Sequence, residues 1–216
     1  MKIIVNINKE RGIGCDGELL VNIPEDMKYF RKTTSGGVVI MGRKTLLSFP
    51  GQKPLKGRIN IVLTSDPSRI DSESRDGADL CLGEAEALRE AERLKNIYLS
   101  NLDKAAKGAK ASEMETVLIF AGTKEAALKE AYMISGGDDG MGDSHVFVIG
   151  GASIYDLFLD CCDICLITEN DADYKADRFF PDLKADGGWE LAEKGETKEH
   201  EGIHYSFDIY KRRGSD

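Results

Sequence analysis

No stretch of the 216-residue chain holds the roughly 20 consecutive apolar residues that a membrane-spanning helix requires. The N-terminus, Met1-Lys2-Ile3-Ile4-Val5, reaches polar Asn6 too soon for a secretory signal peptide, so a cytoplasmic protein with no membrane role is expected. Positive charge is also short: 29 Lys and Arg stand against 38 Asp and Glu, a formal net charge of -9. A general nucleic-acid binder needs a broad basic surface to displace counterions, and this balance argues against that class. Any anionic ligand must find local cations.

Metal-binding residues are few and badly spaced. Of five cysteines, Cys161, Cys162 and Cys165 crowd together, but no second Cys pair or nearby His completes a tetrahedral set. They read as a packed approach to a strand, with no metal, and the odd count suits a reducing compartment. The three histidines offer no catalytic candidate: His145 begins a strand, and His200 and His204 lie in or beside a polar turn. The Gly150-Gly151 step is not the GxGxxG fingerprint, and the chain shows no clear internal repeat. The length suffices for one well-buried domain and is too short for two large ones.

What the chain does contain is organised around Asn22-Ile23-Pro24-Glu25-Asp26-Met27-Lys28-Tyr29-Phe30-Arg31. Asn22 reads as an N-cap, Pro24 fits the first turn, and Glu25 stands where a capping box wants its acid. At helical spacing Ile23, Met27, Phe30 and Thr34 form an apolar face opposite Glu25, Lys28 and Lys32. Asp26 flanks that face, half buried, with no basic residue on its own stripe. Burial disfavours the ionised carboxyl and equips it to supply a proton near neutral pH; the alternative is a residue that only complements the helix dipole.

Residues 2–7 read as a first strand, followed at 9–22 by a glycine-punctuated loop (Gly12, Gly14, Gly17), either a lid or an ordinary turn. Val38-Val39-Ile40-Met41 reads as a strand buried on both faces that stops at Gly42 and opens a helix with Arg43, Lys44 and Thr45. Such a junction offers free N–H groups, here beside two cations, and suits a phosphate. Val146 to Gly150, followed by Gly151-Ala152-Ser153-Ile154-Tyr155, repeats the pattern. Arg58, after the turn at 54–57 and before a strand at 59–63, reads as a carboxylate clamp or as a solvated surface residue. Residues 68–144 carry two strand-plus-helix patterns, at 79–94 and 116–133, with mobile loops at 101–115 and 136–142. A strand at 163–168 leads into an acidic turn at 169–173, and strands at 189–192 and 203–210 suit an antiparallel edge hairpin.

In order, Ile13-Gly14, the Asn22 to Phe30 stretch, Val39-Ile40-Met41-Gly42-Arg43-Lys44-Thr45, Pro54-Leu55-Lys56-Gly57-Arg58, Leu63-Thr64-Ser65, Val148 to Tyr155, a strand ending in Thr168, and Phe180-Pro181 resemble dihydrofolate reductase. The resemblance covers most of the chain except part of 68–144. It implies an α/β fold: a mostly parallel central sheet flanked by helices, with a C-terminal antiparallel hairpin, in a single domain over 1–216 carrying an insertion within 68–144.

The resemblance implies NADPH-dependent reduction of 7,8-dihydrofolate to tetrahydrofolate for one-carbon metabolism, in a monomeric antifolate target. Hydride goes to C6, and Asp26 promotes protonation at N5. Thr168 would hydrogen-bond the carboxylate. Ile4, Val5, Met27, Phe30, Leu55, Ile149 and Tyr155 would contact the substrate, and Arg58 would take its glutamate α-carboxylate. Arg43, Lys44 and Ser65, with Thr64, would surround the 2′-phosphate of the cofactor. Gly42, Thr45 and Gly150-Gly151-Ala152-Ser153-Ile154 would hold its pyrophosphate, with a cis Gly150–Gly151 bond. Asn6, Ile13, Gly14 and Leu19 would meet the nicotinamide.

Two positions depart from the pattern. Val21 stands where the family has Trp, and Asn6 where it has a small residue, usually Ala; the extra amide must find a partner or intrude on the cofactor pocket. A reductase acting on a pyrimidine intermediate of riboflavin synthesis, or a nucleotide-binding module without efficient catalysis, are the alternatives.

Overall fold

A computed structural model of the protein describes residues 1–69, 84–136 and 145–214. In chain order the first elements are β1 (Lys2–Asn8), β2 (Gly12–Cys15), β3 (Glu18–Leu19), α1 (Pro24–Thr34), β4 (Val38–Gly42), α2 (Arg43–Ser48) and β5 (Ile59–Leu63). Then come α3 (Glu84–Ala106), β6 (Val117–Ala121), α4 (Lys124–Ser135), β7 (Val146–Gly150), α5 (Ala152–Phe158) and β8 (Ile164–Asn170). The chain closes with β9 (Arg178–Phe179), α6 (Leu183–Asp186), β10 (Trp189–Glu193), β11 (Lys198–His200) and β12 (Ile203–Arg212). Two compact units divide the chain: Met1–Lys32 with Val148–Asp216, and Thr33–Phe147.

In the first unit the strand order is β10-β12-β8-β1-β7, with β11 also on β12. β1 and β8 run parallel, in a register that sets Asn6 opposite Thr168 and Asn8 opposite Asn170. β12 lies antiparallel to β8 on one side and to β10 on the other, so it is an inner strand and β10 is the edge. Gly195 fits the turn between β10 and β11 because a Cβ there would stand 2.3 Å from the Phe207 carbonyl oxygen.

In the second unit β4, β5 and β6 pair in parallel. The Ile and Val side chains of β4 and β5 are fully buried, as expected of parallel strands covered on both faces, each contributing about 1.5–3 kcal/mol. The fold is therefore the α/β architecture the sequence implies, a mixed sheet with helices and a C-terminal antiparallel pairing.

Several local expectations give way. The loop expected at 9–22, a lid or an ordinary turn, carries two short strands, which join β9 in a small sheet of order β3-β2-β9. Its glycines serve close approach: a Cβ on Gly12 would meet that of Ala176 at 2.5 Å, and one on Gly14 the Glu18 carbonyl oxygen at 2.7 Å. No hydrophobic alternation marks such strands. The helix after it starts one residue later than expected, with Met27 N–H donating to the Ile23 carbonyl. Glu25 closes no capping box: its Oε2 accepts from the Tyr205 hydroxyl at 2.6 Å and from Lys198 Nζ at 3.2 Å.

The loop expected at 101–115 is helical through Ala106, because Leu, Lys and Ala favour helix until Gly108 turns left-handed at φ 77°. Asn101 is fully buried there and clasps Glu115, donating to its carbonyl at 2.9 Å and accepting from its N–H at 3.0 Å. The strand expected at 163–168 extends to Asn170, drawing Glu169 and Asn170 out of the acidic turn. The strand expected at 79–82 and the loop positions 137–142 lie outside the described residues, while Gly136 caps α4 at φ 78°.

Candidate active site

Asn6 and Thr168 lie toward the C-terminal ends of two parallel strands, the end at which open α/β sheets bind ligands. Partners in a parallel register point to the same face, and here both reach Asp26 on α1. Thr168 Oγ1 donates to Asp26 Oδ1 at 2.5 Å, and Asn6 Nδ2 donates to Oδ2 at 2.9 Å. Asp26 is half-buried and Thr168 is 2% exposed. Burial pushes the Asp26 carboxyl above its ordinary range; the hydrogen bonds from Thr168 and then Asn6 offset part of that rise. Among the described residues no cation pairs with it.

Tyr155 anchors the neighbourhood. Its buried hydroxyl donates to the Ile4 carbonyl at 3.1 Å, and its ring meets Phe180 edge-on at 5.2 Å. Burial first, and then the Asp26 charge, hold that hydroxyl far above its usual range. Tyr205, bound to Glu25, is pushed up to about 12 by burial, then by the bond to Glu25.

The other expected residues of this unit fall as follows. Ile4 and Val5 precede Asn6 on β1, buried; Met27 and Phe30 follow Asp26 on α1, half-buried. Ile149 is buried at the end of β7. The Gly150–Gly151 peptide is cis, and a Cβ on Gly150 would press against Tyr155 at 3.0 Å. Gly151 caps α5, whose first turn is Ala152, Ser153 and Ile154, with no acidic residue and no side-chain cap. Ile13 and Gly14 lie on β2, while Leu19 on β3 is 63% exposed. Val21 is half-buried.

In the second unit Gly42 caps α2 without a side-chain bond, and Arg43, Lys44 and Thr45 form a first turn free of acids. Thr64 Oγ1 accepts from Asp66 N–H at 3.2 Å, and Ser65 is exposed. Arg58 is not a solvated surface residue. It is 4% exposed, with Nε donating to Thr34 Oγ1 at 2.9 Å and Nη1 to the Lys56 carbonyl at 2.6 Å. Buried Asn60 fixes the preceding turn, accepting from Leu55 N–H at 2.9 Å and donating to the Leu55 carbonyl at 3.0 Å.

Sequence reasoning missed Asn170, whose Nδ2 donates to Asn6 Oδ1 at 2.7 Å. Its signal was its spacing: two residues after Thr168, on the same face of the strand.

A desolvated acid with no cation beside it among the described residues, tethered by a threonine and an asparagine from the C-terminal ends of two parallel strands, sets the class: an α/β protein with a candidate proton donor. The chain belongs to the dihydrofolate reductase family, whose model, described as Dihydrofolate reductase, matches residues 1–100 and 91–212. It is 29% identical over 213 residues to Dihydrofolate reductase HdrB of Haloferax volcanii, covering 98% of this chain and 82% of that one. It is 28% identical over 218 residues to the Dihydrofolate reductase of Bacillus subtilis (strain 168), covering 100% and 96%. Against the Dihydrofolate reductase of Staphylococcus aureus it is 26% identical over 198 residues, covering 92% and 87%. Among the described residues no helix is long and apolar enough to cross a membrane.

Proposed function

We propose that this protein reduces 7,8-dihydrofolate to 5,6,7,8-tetrahydrofolate with NADPH, as a cytoplasmic monomer serving one-carbon metabolism. The observation that carries this reading is Asp26, half-buried, uncompensated by any cation among the described residues, and held by Thr168. The reading treats the chain as one functional domain with an insertion within 68–144.

Each unit by itself offers groups of the chemistry that the cofactor needs. Arg43 and Lys44 supply cations for a 2′-phosphate, with Thr64 and Ser65 hydroxyls; the uncapped, acid-free starts of α2 and α5 supply N–H groups for a pyrophosphate. Ile13, Gly14 and Leu19 would cover the nicotinamide. When bound, NADPH supplies the hydride that C6 receives. The protein's own part is the proton. The Asp26 carboxylate accepts from the pterin amino group and N3, and its raised proton affinity promotes delivery of a proton to N5 through water. The C6–N5 double bond thus gains a hydride at one end and a proton at the other. Thr168 keeps the carboxylate in register, Ile4, Val5, Met27, Phe30, Leu55, Ile149 and Tyr155 enclose the rings, and Arg58 takes the glutamate α-carboxylate.

The test is to mix purified protein with NADPH and dihydrofolate and follow cofactor absorbance. Oxidation that depends on dihydrofolate supports the proposal. Cofactor binding without oxidation overturns it in favour of a nucleotide-binding module, a reading that Val21 and Asn6 motivate.

A further inference from the structure

Asn6 occupies a strand position from which its amide reaches two partners, Asp26 Oδ2 at 2.9 Å and Asn170 Nδ2 at 2.7 Å. The direction of this relay is dictated by the backbone. The Ala172 N–H can only donate, and it meets one atom of the Asn170 amide at 3.0 Å, so that atom is oxygen. The Ile7 carbonyl can only accept, and it meets the other atom at 2.9 Å, so that atom is nitrogen. The same nitrogen faces Asn6, which must answer with its oxygen. What remains to Asn6 is its NH₂ group, turned to the carboxylate of Asp26. The polarity of two backbone groups is thus passed through two side-chain amides to the acid.

We propose that Asn6, locked by Asn170, is a positioning residue that keeps Asp26 Oδ2 an acceptor and, with Thr168 on Oδ1, fixes the rotation of the carboxyl. The Oδ2 lone pair that faces Asn6 cannot carry a proton, because Asn6 has no acceptor to offer it. The Thr168 hydroxyl, in contrast, can turn from donor to acceptor. A proton taken up between the tethers therefore goes to Oδ1. The titratable groups around Asp26 do not compete for this role: Tyr155 on α5 and Tyr205 on β12 feel its charge as neutral phenols, and Glu25, next in the chain, is engaged by Tyr205 and Lys198. Removing the Asn6 donor leaves Thr168 alone to offset burial. The catalytic consequence of this tether rests on the proposed reduction; the tether itself does not.

The test uses the full-length protein, carbon-13 labelled at aspartate, with the Asp26 carboxyl titrated by NMR in the absence of substrate and cofactor. Asn6→Ala should raise its midpoint by about one pH unit. Asn6→Leu keeps the volume, removes the donor and adds no charge, and should raise the midpoint likewise; it carries the test if the alanine variant fails to fold. A midpoint unmoved in the variant that folds overturns the proposal. The pH dependence of dihydrofolate turnover should move the same way. A moved titration in a protein that turns over no dihydrofolate sinks the proposed reduction and leaves the tether standing. Turnover with an unmoved titration does the reverse.

Discussion

The Thr168 hydroxyl donates to Oδ1 of Asp26 across 142 residues of sequence, at 2.5 Å. A strand residue thereby orients an acid on a helix whose proton affinity burial raises. The hydrogen bonds lower the proton affinity and desolvation raises it; desolvation is the larger effect.

Asp26→Asn should keep cofactor binding and lose turnover, by about 100-fold or more at neutral pH, the usual scale for removing a positioned acid. Acidification should restore part of the rate, because the substrate then takes its proton from solution. Steady-state rates across pH check this, and a profile parallel to that of the parent protein would assign Asp26 another job.

Stability should move in the opposite direction. A carboxyl whose folded value lies above its unfolded value makes the folded state bind protons more tightly, so stability falls as pH rises between the two and stays reduced above them. Asp26→Asn removes that cost, and its amide can accept from Asn6 while donating to Thr168. The variant should melt about 1–3 °C higher at neutral pH, and the gap should shrink as pH falls through the folded value. Thermal melts at neutral and mildly acidic pH read this directly.

Cofactor choice should reside in the start of α2. Replacing Arg43 and Lys44 together by alanine should weaken NADPH about tenfold or more and leave NADH nearly unchanged, one or two charge-assisted contacts being lost from the former only. The ratio of kcat/KM for the two cofactors measures it. Equal weakening of both would show that these cations do not read the 2′-phosphate.

Arg58 owes its orientation partly to Thr34, which accepts from Nε at 2.9 Å. Thr34→Val keeps the shape and removes the acceptor. Loss of about 1 kcal/mol should appear as a five- to tenfold rise in KM for dihydrofolate with kcat nearly constant, the mark of a contact made equally in ground and transition states. Steady-state kinetics at saturating cofactor separate the two parameters.

What could be read from sequence followed the range of the interactions. The helix bearing Asp26 and its half-burial came from spacing within a dozen residues, and both glycine-ended strands came from contiguous apolar runs. The α/β class followed from those same patterns together with the ordered resemblance. Glu25 shows the limit: local grammar made it a capping residue, whereas its carboxylate binds Tyr205, 180 positions away. Asn170 stood among turn-forming residues, and pairing with Asn8 on one side and Tyr205 on the other makes it a strand residue. β2 was hidden because its glycines are chosen for close approach and carry no hydrophobic period. The last turns of α3, from Asn101 to Ala106, read as part of a mobile loop because Lys, Ala and Gly compose such loops as well.

The parallel pairing of β1 with β8 has a temporal side. During translation Asn6 and Asp26 leave the ribosome well before Thr168 and Asn170, and at roughly 5–20 residues per second the acid waits several seconds to half a minute for its threonine. A nascent chain halted short of β8 carries the carboxyl but neither the hydroxyl that holds it nor the amide behind Asn6. Such a product is chemically incomplete however well its remaining helices form.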